Sequence, residues 1–352
     1  MNRFSFSGTA REYFGIWIVN LLLTLVTLGV YSAWAKVRRL RYFYGNTFLD
    51  GHNFDYHARP VQILIGRIIV IVLLIGYNIL VSITPIAFVL LIPYALGFPW
   101  IINKALRFSA RMTSHRNIRF GFEGNYWSAF FAFIIMPLAA FVTAGFLAPL
   151  ASREVSNYIG NNMRFGNAPF ATAVRLRPLY RNWFASIGFG LIWLVAAIAT
   201  GAAIGGILFA VSGTLGLNGA SSEEIAKNPV IVTVGTISAI GLYSTFFFGY
   251  FFYQCGVRNL AYQATVLQGE HPLHSDLSRG RYVWILISNA FIILATVGLM
   301  RPWAAIRSWR YKSEHTALSA SAPVSEIVAA SEREGNVATA EFLDIEGIDF
   351  GL

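Results

Sequence analysis

Cysteine occurs once, at Cys255, so the chain can form no internal disulfide and no cysteine-based metal site. Charge is equally scarce. Only 12% of the 352 residues are Asp, Glu, Lys or Arg, against about 25% in an ordinary water-facing domain. Carboxylates are missing altogether from the long apolar stretches, which removes the usual relay of a proton-coupled transporter. No Ser/His/Asp set with a nucleophile elbow occurs, and no glycine loop followed by lysine that would cradle phosphate. The reading is therefore of a non-enzyme without a catalytic residue or cofactor. His271 and His274 beside Asp276, and His52 and His57 around Asp55, are too few and too widely spaced for a metal. The opening MNRFSFSGTAREYF holds no apolar core followed by a small-residue cleavage site and is expected to stay uncleaved.

What remains is apolar: 56% of the chain is hydrophobic and 15% aromatic. A membrane helix needs about 20 mostly apolar residues. Seven segments come near this: Tyr13–Val30, Val61–Ser82, Pro85–Ile102, Tyr126–Leu147, Trp183–Val211, Val230–Phe252 and Tyr282–Met300. Pro93, Pro99 and Pro137 predict kinks. The second and third segments, and the fifth and sixth, form helical hairpins.

The net charge of +10 divides unevenly. From Thr316 onward seven acids face Arg333 alone, a net −6, so residues 1–315 carry +16. Those bases cluster at the ends of apolar segments, where the positive-inside bias and anionic headgroups account for them better than nucleic acid does. The Ser212–Pro229 connection, with Glu223, Glu224 and Lys227, is the acidic exception. With both hairpins pointing outward, all basic connections are cytoplasmic. The first, fourth and seventh segments then have basic flanks at both ends, so they are expected to dip into the bilayer and return.

Those three segments resemble one another. A shift of 269 lays the first on the seventh without a gap, with 14 identities in 37 positions between Tyr13 and Leu49. They include Asn20/Asn289, Thr27/Thr296, Gly29/Gly298, Trp34/Trp303, Arg38/Arg307, Arg41/Arg310 and Tyr42/Tyr311. A shift of 116 matches the fourth segment more weakly, through Phe6/Phe122, Gly8/Gly124, Thr27/Thr143, Gly29/Gly145 and Tyr42/Tyr158. Period-two stretches bounded by glycine, such as FSFSG, NFDYH and RNIRFGFEG, predict short β-hairpins on the cytoplasmic side.

With these residues in view, the chain resembles the YjgN family of bacterial inner-membrane proteins. The likeness covers roughly residues 4–318. It is carried by the segment GTAREYFGIWIVNLLLTLVTLGVYSAWAKVRRLRYFYGNTFLDGHNFDYHARP and by SNAFIILATVGLMRPWAAIRSWRY. Ala305 departs from the pattern, where a lysine like Lys36 is expected. The resemblance implies an inner-membrane location and no settled activity.

Two groups of residues are candidate sites. Asn20, Asn289, Thr27, Gly29, Thr296 and Gly298 could line a substrate path, since midplane amides and helix breaks offer polar groups in transporters built from repeats. Ordinary helix–helix hydrogen bonds and plain bends explain the same residues structurally. Trp34, Lys36, Arg38, Arg41 and Tyr42, with Trp303, Arg307, Arg310 and Tyr311, form basic-aromatic helices suited to anionic lipid headgroups. Arg67 reads as a snorkelling side chain.

The resulting expectation is an all-α polytopic membrane protein of about seven hydrophobic segments, with repeated broken-helix units and short cytoplasmic β-hairpins. Its divisions are 1–60, 61–107 (hairpin), 108–180, 181–257 (hairpin), 258–316 and a disordered acidic tail, 317–352. The function is either a transporter or channel for a small solute or, alternatively, non-catalytic binding of lipid or a protein partner. The expected partners are anionic membrane lipids and a protein docking on the tail, not nucleic acid. The expected location is the bacterial inner membrane, multi-pass, with the tail and basic connections cytoplasmic.

Overall fold

The computed structural model describes residues 1–84, 91–212 and 228–320. Five times in these residues the chain runs strand, helix, helix, strand. The first pass is Asn2–Arg3 (β1) and Ser5–Phe6 (β2), Ala10–Val26 (α1), Ser32–Gly45 (α2) and Thr47–Leu49 (β3). The second is His52–Tyr56 (β4), Pro60–Ile83 (α3), Leu91–Arg111 (α4) and Thr113–His115 (β5). The third is Ile118–Phe122 (β6), Tyr126–Val142 (α5), Ala148–Asn162 (α6) and Met163–Phe165 (β7). The fourth is Ala168–Thr172 (β8), Leu176–Ser212 (α7), Pro229–Gln263 (α8) and Thr265–Leu267 (β9). The fifth is His271–Ser275 (β10), Arg279–Ala295 (α9), Arg301–Glu314 (α10) and Thr316–Leu318 (β11).

The strands form one antiparallel sheet in the order β1-β11-β10-β9-β8-β7-β6-β5-β4-β3-β2. Each helix pair therefore leaves the sheet from one strand and re-enters it at the neighbouring strand. Tight turns join one pass to the next. Asp50-Gly51 and Arg116-Asn117 both have two successive residues at positive φ, the primed turn geometry that matches strand twist. The two ends of the strand order are β1 and β2, consecutive in the chain. Asn2 and Arg3 pair with Leu318 and Ala317, whereas Ser5 and Phe6 pair with Phe48 and Thr47. The strand changes partner at Phe4, whose N–H donates to the Thr316 carbonyl at 2.9 Å. The sheet is in this way nearly closed on itself.

This corrects the all-α, seven-segment expectation: the hairpins join into an eleven-stranded, nearly closed antiparallel sheet. The physical reason is length. Among the described residues no strand exceeds five residues, so alternation within one strand is too brief to reveal a sheet assembled from distant segments. Three helices among the described residues are long and apolar enough to cross a membrane: Pro60–Ile83, Leu176–Ile207 and Ile231–Gln263. The expected connection Ser212–Pro229 and the tail fall almost wholly outside the described residues. Of the proline kinks, Pro99 lies inside α4. Pro137 follows a π-helical stretch, Phe131–Ile135. A wide turn there accommodates the ring that would otherwise strike the carbonyl four residues back.

Side chains from the strands fill one part of the core, with Leu49, Phe54 and Leu318 packing against Phe4 and Phe120. A second part lies under the helices, where Val37 and Ala33 of α2 meet Tyr56, Ile63 and Phe108. Residues Arg177–Val257 and Ser278–Val283 form a separate compact body. Within it, Asn182 is buried and bonds the Tyr253 carbonyl at 2.9 Å, while Arg279 donates to its Oδ1 at 2.9 Å. Phe189 stacks on Phe252 at 4.5 Å.

Candidate lipid-facing site

Three of the helix pairs turn by the same device. At Thr27-Leu28-Gly29, Thr143-Ala144-Gly145 and Thr296-Val297-Gly298, the second and third residues all have positive φ. The glycine N–H closes back on a carbonyl five residues earlier: Gly29 on Thr24 at 2.8 Å, Gly145 on Ala140 and Gly298 on Ile293 at 2.7 Å. The threonine hydroxyl ties the two helices together. Thr27 Oγ1 donates to the Leu23 carbonyl and accepts from the Tyr31 N–H; Thr296 does the same with Ile292 and Met300. The carbonyls freed at these breaks are thus met locally, and the geometry favours a bend over an ion-coordinating break.

The tips are nevertheless apolar and bare. Leu28 is 95% exposed and Val297 93%. A β-branched residue in the left-handed region is strained, and exposing it to water adds a hydrophobic cost. The strain falls on Val297 in any solvent, whereas the exposure of both side chains costs nothing in hydrocarbon.

Below the first tip, α1 and α2 enclose a groove of about 470 Å³ lined by Gly15, Ile16, Val19, Arg38, Arg41 and Tyr42. Its floor is apolar because α1 is hydrophobic on all sides, and its rim is basic because α2 carries the charge. Among the described residues Arg38 has no ion pair; its guanidinium lies 6.0 Å over the Tyr31 ring. Arg41 is held by the carbonyls of Tyr56 at 3.3 Å and Ala58 at 3.2 Å. The Tyr42 hydroxyl accepts from the Thr9 N–H at 2.8 Å and lies 3.0 Å from the Glu12 carboxylate. Burial, and then that carboxylate, push the phenol above its ordinary range.

The fifth pass offers an internal comparison. Asn289 donates to Ser308 Oγ at 2.9 Å and the Ala304 carbonyl at 3.2 Å, and its Oδ1 accepts from Arg307 at 3.2 Å. Arg307 also reaches Ser288 Oγ at 2.6 Å and lies over Trp303. In the first pass the positions of Ser288 and Ser308 are held by Val19 and Arg39. The arginine latch is accordingly open there: Asn20 is buried, yet its Oδ1 has no hydrogen-bond partner, the one such atom among the described residues. The two amides predicted as a paired polar site therefore differ, Asn289 being engaged by its own helix pair and Asn20 not.

The remaining predicted residues divide similarly. Arg310 is tied to the Gly8 carbonyl, Trp34 stacks on Tyr31 at 6.0 Å, and the Tyr311 ring meets His315 at 4.2 Å. Lys36 is half-buried. Burial lowers its pKa, and the Arg67 cation lowers it further. Sequence reasoning missed Trp309, whose indole N–H donates to Thr47 at 3.0 Å. It also dismissed Arg67, which bonds Ser32. The signal for Arg67 was available: it is the only charged residue in the 24-residue helix α3.

A family profile described as "Bacterial protein of unknown function (DUF898)" matches residues 1–345. Among curated proteins, "Inner membrane protein YjgN" of Salmonella typhimurium is 23% identical over 342 residues, covering 86% of this chain and 84% of that one. The proteins of the same name from Escherichia coli O157:H7 and K12 are 33% and 32% identical. Those two matches cover 38% of this chain and 35% of the relatives' length. No solved structure matches the chain.

Proposed function

The chain belongs to this family of bacterial proteins of unknown function, and from that premise we propose a non-catalytic, multi-pass inner-membrane protein that holds anionic lipid in the α1/α2 groove. On this reading it consists of five diverged copies of one strand–helix–helix–strand unit. The helix pairs enter the bilayer from the side on which the sheet lies, which is the cytoplasmic side. The pairs with the Thr-x-Gly tips dip in and return.

The observation that carries the reading is the groove, where a guanidinium without an ion pair stands above an apolar floor. That combination matches an acyl chain with an anionic head. The topology supports the placement, because both ends of every helix pair join one sheet while the tips expose Leu28 and Val297. The test is lipid retention. Wild-type protein purified in neutral detergent is expected to keep co-purifying phosphatidylglycerol, and Arg38→Gln to lose most of it; equal retention would sink the proposal. Reporter fusions at Arg39 and Thr316 should read cytoplasmic and one at Ser221 external.

Transport is a second reading, favoured by one observation, the buried and unpartnered Oδ1 of Asn20. It predicts that Asn20→Leu abolishes solute movement in proteoliposomes without reducing insertion.

A further inference from the structure

We infer that Ser32, Lys36 and Arg67 form a second site, outside the α1/α2 groove, that binds a phosphoryl group. The inference rests on the lipid-facing reading only for the source of that group.

The Arg67 guanidinium donates to Ser32 Oγ, and Lys36 follows Ser32 by four residues, one helical turn, on the same face of α2. Counting about 1.5 Å per residue, Arg67 stands roughly 10 Å along α3 from Pro60, and Lys36 roughly 14 Å from the sheet end of α2. The two cations thus lie at similar heights on helices that pack together. Around Arg67 the same helix exposes Ile65, Ile68 and Ile71, so the site borders an apolar surface.

Both cations are partly buried, and among the described residues no carboxylate pairs with either. Holding two partly buried like charges on adjacent helices costs free energy that a bound anion offsets. The effect on Lys36 agrees, since burial and the Arg67 charge both push its pKa down, where a carboxylate would raise it. Ser32 Oγ accepts from Arg67, which leaves its own proton to donate. Guanidinium and hydroxyl are in contact and the ammonium stands one helical turn from that hydroxyl, a donor set suited to the several acceptor oxygens of a phosphate. The counterparts of Lys36 in the third and fifth passes are Ser152 and Ala305, so neither of those passes repeats the ammonium.

The experiment measures the thermal stability of full-length, delipidated protein in neutral detergent. Phosphatidylglycerol, diacylglycerol of the same chains, or inorganic phosphate is added. Phosphatidylglycerol is expected to raise the midpoint by several degrees and diacylglycerol to leave it unchanged. A shift with inorganic phosphate alone assigns the site to a free anion; a shift with the lipid only assigns it to a headgroup. Either supports the site provided Lys36→Ala loses most of the shift while Lys36→Arg and Arg39→Gln, an exposed base of α2 outside both sites, keep it. Alanine stands at the matching position of α10, so Lys36→Ala should fold; an unchanged midpoint without additive checks this.

Loss of the shift in Arg38→Gln alone would move the anion to the groove, overturning this site and leaving the proposed function intact. Equal loss in Lys36→Ala and Arg39→Gln would mean diffuse basic charge and would also overturn the site. No shift in the wild type, or a shift that survives in Lys36→Ala, overturns it as well.

Discussion

The guanidinium of Arg310 donates a 2.9 Å hydrogen bond to the carbonyl of Gly8, a residue 302 positions away. Side-chain-to-backbone contacts also join the first pass to the second, the third to the fourth and the fourth to the fifth. Arg41 reaches the Ala58 carbonyl at 3.2 Å, Asn259 the Leu277 carbonyl at 2.8 Å, and Asn157 Oδ1 accepts from the Val174 N–H at 3.0 Å. The fifth pass thus sits on the first as the first sits on the second. Arg310→Ala should therefore weaken closure, costing about 1–2 kcal/mol for a partly exposed charged hydrogen bond. Thermal unfolding in detergent tests this, and an unchanged midpoint would show that the contact is incidental.

Gly124 has no room for a side chain. A Cβ there would lie 2.1 Å from the Tyr158 hydroxyl and 2.5 Å from the Phe122 ring. Gly124→Ala is expected to destabilise by about 1–3 kcal/mol through overpacking. Tyr158→Phe in the same chain should recover part of the loss, since it removes the nearer atom. No recovery would locate the clash at Phe122.

Asn20 and Asn289 should respond differently to the same change. Asn289→Leu deprives Arg307 of its acceptor and should cost roughly 1–2 kcal/mol, in the range of buried interhelical hydrogen bonds. Asn20→Leu removes an unpaired oxygen and should be neutral or stabilising. Equal losses would mean that the Asn20 oxygen is paired in the membrane.

Tyr56 supplies an alkaline dependence. Burial, with Tyr44 adding, pushes its phenol up to about 12. The unfolded chain loses that proton near pH 10, so between about 10 and 12 the folded state binds more protons. Stability therefore falls as pH rises through that window. Tyr56→Phe removes this contribution, and its stability should decline less steeply there; parallel pH profiles would contradict it.

Much of this could be read from the residues, and some could not. The shift of 116 paired Gly8 with Gly124 and Tyr42 with Tyr158, and in the structure each tyrosine hydroxyl fills the space beside its glycine. The Thr-x-Gly bends were legible because glycine and threonine have specific backbone chemistry. The sheet was not legible, because β1 and β2 contribute two residues each and their partners lie at opposite ends of the chain. The helical hairpins, too, looked unlike the other segments. Helix length hides the shared strand–helix–helix–strand order, which only the pairing of β4 with β5 and β8 with β9 exposes. At the groove, sequence singled out Arg38 and Arg307 as equivalents. Their difference depends on Val19 and Arg39 replacing two serines, a change that matters only once the helices are packed.

The partner change at Phe4 also imposes an order on assembly. Ser5 and Phe6 can pair with Phe48 and Thr47 soon after these emerge from the ribosome. Asn2 and Arg3 must wait for Ala317 and Leu318, more than three hundred residues later. During all of that synthesis the sheet has an open seam. The pairing that seals the seam is the last in the sheet to become possible. A bulky tag fused at the N-terminus would therefore obstruct closure of the seam while leaving the pairing of Ser5 and Phe6 with β3 untouched.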